Sequence, residues 1–83
     1  MIVPRNFLQQ GNVYFQKFII DLDGPHGNVF YLLAQAKYLA SDLDLQFKDI
    51  EREMKSGNYT DAVKTFDRYF GDYVILIEPT AGL

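Results

Sequence analysis

At 83 residues the chain is sized for one domain spanning 1–83, and its 48% hydrophobic and 16% aromatic content excludes a disordered polymer. A net charge of −3 argues against a general nucleic-acid binder. The absence of Cys removes a disulfide framework and any Cys-based metal site, and no apolar run approaches the ~20 residues of a membrane helix.

Residues 2–9 hold Ile2, Val3, Phe7 and Leu8 around Pro4, which predicts a short edge strand. Gly11-Asn12 then predicts a two-residue hairpin turn. A firm strand follows over 13–22. One face carries Val13, Phe15, Lys17, Ile19 and Asp21; the other carries Tyr14, Gln16, Phe18, Ile20 and Leu22. Both faces are mainly apolar, as in a strand covered on two sides. A chain this short has helices for one side, so a second subunit is expected on the other.

Asp23 to Asn28 reads as a turn, with Asn28 as N-cap of a helix over 29–43. Val29, Leu32, Leu33, Ala36, Leu39, Ala40 and Leu43 form its core stripe, while Tyr31, Gln35 and Tyr38 lie on another side. Asp44 is the expected cap of a second helix over 45–55, with Phe47, Ile50 and Met54 facing inward. Gly57 suits a left-handed helix stop. A third helix, opening at Asn58 or Thr60, runs to Phe70 on Tyr59, Ala62, Val63, Phe66, Tyr69 and Phe70, and stops at Gly71. Residues 73–78 form a near-continuous apolar strand of the buried kind, ended by Pro79; 80–83 read as a frayed tail. The expected fold class is α+β: a two- or three-stranded sheet packed against three helices, in the order β-β-α-α-α-β.

The chemistry of the chain concentrates where the firm strand meets the first helix. Ile19-Ile20-Asp21-Leu22-Asp23-Gly24 resembles the first motif of the haloacid dehalogenase-like hydrolases, a strand ending in Asp-x-Asp-Gly. That resemblance implies a Mg²⁺-dependent phosphohydrolase with Asp21 as nucleophile and Asp23 as general acid. It stops at this motif. Pro25 stands where the family usually has Thr, Gly71-Asp72 precedes its strand, and the chain is too short for the doubly wound domain. The same residues admit anion or nucleotide binding by Asp21, Asp23, Gly24, His26, Gly27 and Asn28 at a helix N-terminus. They equally admit a plain structural turn. No cofactor is expected. For a metal, only Asp21 and Asp23 come forward, and they converge only if the chain bends at Leu22.

A broader resemblance joins Asp21-Leu22-Asp23-Gly24-Pro25-His26-Gly27-Asn28, Met54-Lys55-Ser56-Gly57-Asn58-Tyr59 and Phe70-Gly71-Asp72-Tyr73-Val74. As a set these segments resemble small uncharacterised proteins of bacteriophages and prophages. The resemblance implies a non-enzymatic binding protein; the apolar content adds the expectation of homo-oligomers, and the lack of Cys fits a reducing cytoplasm. Such a protein would act by sequestering a nucleotide-like signal or by binding and inhibiting a host defence protein; a purely structural oligomerisation module is the alternative. Tyr14, Tyr31, Gln35 and Tyr38 are the expected interface residues.

Overall fold

The computed structural model describes residues 1–7 and 18–83. Its elements are β1 (Ile2–Val3), β2 (Phe18–Asp21), α1 (Val29–Asp42), α2 (Phe47–Met54), α3 (Tyr59–Phe70) and β3 (Val74–Ile77). The class is α+β, with three helices and a three-stranded sheet. Strand order is β1-β3-β2, and both pairings with β3 are parallel. Parallel pairing requires a long crossover, which the three helices supply between β2 and β3.

The expected hairpin between the first two strands is corrected by this order, because β1 and β2 lie on opposite sides of β3. Gly11 and Asn12 themselves, with 8–10 and 13–17, lie outside the described residues. The central place goes to the most apolar strand: all four residues of β3 are buried. Val74 and Leu76 join Ile20 and Leu22 against the helices. Ile75 and Ile77 point the other way and pack with Val3 and Phe7. The second face of β3 is therefore closed by this chain's own Val3 and Phe7; the second subunit was expected on the strand that includes β2. Phe18 and Ile19 on β2 stay partly exposed.

The helices bury the faces their spacing predicts. Leu32, Leu33, Ala36 and Ala40 of α1, Ile50 and Met54 of α2, and Ala62, Val63, Phe66 and Phe70 of α3 form one cluster with the sheet. Asn58 and Asp61 cap α3 reciprocally, each side chain accepting the other's backbone N–H. Glu53 ties α2 to α3 by accepting from Arg68 and from the Tyr69 hydroxyl.

Two expected caps are corrected. Gln46, not Asp44, occupies the N-cap of α2, and that helix begins at Phe47. Asp44 instead ends α1: it takes a left-handed φ of 59°, its N–H donates to Ser41 O, and Leu45 N–H donates to Ala40 O. This is the Schellman arrangement, in which Asp replaces the usual Gly because Asp tolerates the left-handed region. Gly57 is not left-handed. It is needed for room, since a Cβ there would lie 2.9 Å from the Asp61 Cβ that builds the cap of α3.

Candidate functional site

In open parallel sheets, ligand sites lie outside the carboxyl ends of the strands. Here those ends bring together Arg5 beyond β1, Asp21 and Asp23 at the end of β2, and Glu78 and Thr80 beyond β3. Strand β2 stops at Asp21 and the chain turns through Leu22, so the two carboxylates converge on one guanidinium.

Arg5 Nη1 donates to Asp21 Oδ1 at 2.7 Å and Nη2 donates to Asp21 Oδ2 at 3.0 Å. Nη1 also donates to the Glu78 carbonyl at 2.9 Å. The planar fork of Arg fits a carboxylate in this bidentate manner. Asp21 further accepts the Asp23 backbone N–H at 2.9 Å. Asp23 accepts the Thr80 N–H at 2.9 Å and the Thr80 hydroxyl at 2.5 Å, and lies 3.3 Å from Arg5 Nη1. The tail is thus tied down at Thr80, which corrects the expectation of fraying from that residue.

Electrostatics follow the contacts. The hydrogen bonds from Arg5, then the Asp23 N–H, lower the Asp21 carboxyl from 3.8 to about 2. Donation from the Thr80 side chain and backbone lowers Asp23, against repulsion from Asp21. The same carboxylates raise Arg5. Both acids are charged at neutral pH and already hydrogen-bonded within the chain.

The turn is held as closely. Gly24 N–H donates to Asp21 O, and Gly27 N–H donates to Gly24 O, each at 3.0 Å. A Cβ on Gly27 would lie 2.6 Å from the Leu22 carbonyl carbon and 2.8 Å from its Cα, so only Gly fits against that backbone. The Gly27 carbonyl accepts the Tyr59 hydroxyl from α3, and burial pushes that phenol up. Asn28 caps α1 as expected: Oδ1 accepts Tyr31 N–H at 2.9 Å and Nδ2 donates to the Pro25 carbonyl at 2.9 Å. His26 is exposed and stacks on Tyr31, with ring centroids 4.2 Å apart. Among the described residues no group of three His, Asp or Glu side chains assembles a metal-ligand set.

The other expected residues separate. Tyr31 and Gln35 lie half-buried on the flank of α1. Tyr38 is 71% exposed, and Tyr14 lies outside the described residues. Sequence reading missed three participants. Arg5 and Thr80 are distant in sequence from the carboxylates they hold. Phe30, 78% exposed, carries a legible signal: it sits four residues before Ala34 and eight before Tyr38, opposite the core stripe. Ala34 and Tyr38, with Lys37 and Ser41, line a shallow groove of about 390 Å³.

No described helix is long and apolar enough to cross a membrane. Comparison with protein-family models, curated proteins and solved structures finds no match to this chain.

Proposed function

We propose that this is a non-enzymatic binding protein that self-associates through the outer face of α1. The observation that carries the reading is that α1 presents large apolar side chains on both sides. Leu32, Leu33, Ala36 and Ala40 are buried, while Phe30 and Tyr38 stand exposed on the opposite face. Large apolar side chains left exposed on a second face of a helix mark a surface suited to a partner.

The strand-end cluster supports the same reading from the other direction. A phosphatase nucleophile needs a free carboxylate oxygen, and Asp21 offers both of its oxygens to Arg5. A phosphate cradle needs free donors, and at this turn Asn28 caps α1 while two carboxylates add negative charge. We therefore read Asp21 to Asn28 as a structural joint. Within the phage-type resemblance, a host protein suits the molecule better than a nucleotide-like ligand.

Native mass spectrometry of the protein purified from its host tests this, because it reports oligomeric state and retained small molecules together. The expected result is a dimer or higher oligomer of the bare chain. A monomer carrying a nucleotide-sized adduct would overturn the proposal.

A further inference from the structure

We infer that two copies of this chain pair through antiparallel α1 helices across a twofold axis at Ala34; this rests on the self-association proposed above. The outer face of α1 carries a protrusion at one end and a recess at the other. Phe30 projects with 78% of its surface exposed. The groove lined by Ala34, Lys37, Tyr38 and Ser41 begins one turn further along the same face. Ala34, the smallest residue of the stripe, lies midway between Phe30 and Tyr38. A twofold axis there places the Phe30 of each copy in the groove of the other, while Ala34 meets Ala34. An interface of this kind is isologous, so one face serves both copies.

Charge selects the antiparallel direction. The first turn of α1 has no acidic residue and the last turn has no basic one. Asp42 closes the helix at its negative end, where a carboxylate is unfavourable. Antiparallel pairing carries Asp42 to the positive N-terminal end of the other helix, whereas parallel pairing leaves like ends together. Lys37 is exposed and has no ion-pair partner among the described residues. In this arrangement its ammonium lies beside the aromatic ring entering the groove, a cation–π contact.

The chain has no Cys, so single-Cys variants give an unambiguous test. Facing residues on helices packed about 8–10 Å apart have Cα atoms within roughly 4–6 Å at the contact, close enough for a disulfide. Under mild oxidation Ala34→Cys is expected to cross-link to itself about tenfold or more faster than Lys64→Cys on the exposed side of α3, because pairing raises the effective thiol concentration. Mixed Phe30→Cys and Tyr38→Cys chains are expected to cross-link to each other in preference to themselves. Circular dichroism melting confirms that each variant is folded. Equal rates for Ala34→Cys and Lys64→Cys would overturn the inference, as would preferential Phe30→Cys self-linkage. If native mass spectrometry still shows a dimer, that failure removes the antiparallel geometry alone; a monomer removes the self-association beneath it as well.

Discussion

Arg5 holds Asp21 through two hydrogen bonds of 2.7 and 3.0 Å, and in doing so reaches across the end of the central strand. The two residues follow or close strands that never touch one another, so the ion pair links the outer strands of the sheet past β3. The Glu78 carbonyl, accepting from the same guanidinium, fixes β3 between them.

This clasp predicts an acid-sensitive component of stability. Asp21 has a folded value of about 2 against an ordinary 3.8, so between those values the unfolded chain binds more protons than the folded one. The contribution is full above about pH 4 and fades as pH falls toward about 2. Asp21 is half-exposed, so solvent screens the pair and the effect is modest. Urea midpoints measured across this window should fall more steeply for the wild type than for Asp21→Asn. Parallel curves would show that the clasp adds nothing.

The close approach of Gly27 to Leu22 predicts an intolerant position. Gly27→Ala should destabilise the fold by about 1–3 kcal/mol, because strand-end backbone cannot move aside without breaking its bond to β3. Tyr59→Phe removes the hydroxyl that the Gly27 carbonyl accepts and should cost about 1 kcal/mol. Thermal melts of both variants check the order, with Gly27→Ala the more damaged.

Asp44 occupies a left-handed position that Gly adopts without strain. Asp44→Gly should therefore leave the fold unchanged and raise stability by about 0.5–1 kcal/mol. Chemical denaturation measures the gain; a loss would mean that the Asp44 side chain itself supports the turn.

These positions mark where the fold was legible and where it was not. The helix faces were readable because Leu32, Ala36, Ile50, Val63 and Phe66 repeat at helical spacing, and spacing is local. The pairing of strands was not. Gly11-Asn12 is a local turn signal, whereas the central place of β3 follows from two-sided burial of Val74 to Ile77, which is global. The same limit hid the clasp: Asp21 and Asp23 looked like free chemistry because Arg5 lies 16 residues from Asp21 and Thr80 lies 57 from Asp23. Asp44 misled because Asp suits both a helix start and a left-handed stop, and only the bonds to Ala40 and Ser41 distinguish them. Phe30 was overlooked because it falls outside the core stripe of α1, and a single apolar residue there reads as ordinary surface.

If the outer face of α1 joins copies of this chain, association depends on Phe30. Sedimentation velocity across a concentration series, on the wild type and on Phe30→Asp, tests it most directly. Phe30 is exposed, so the substitution leaves the core intact, and matching melting curves verify this. The expected result is a wild type whose sedimentation coefficient rises with concentration and a variant that stays monomeric throughout. A wild type that remains monomeric, or a Phe30→Asp variant that associates as strongly, would contradict it.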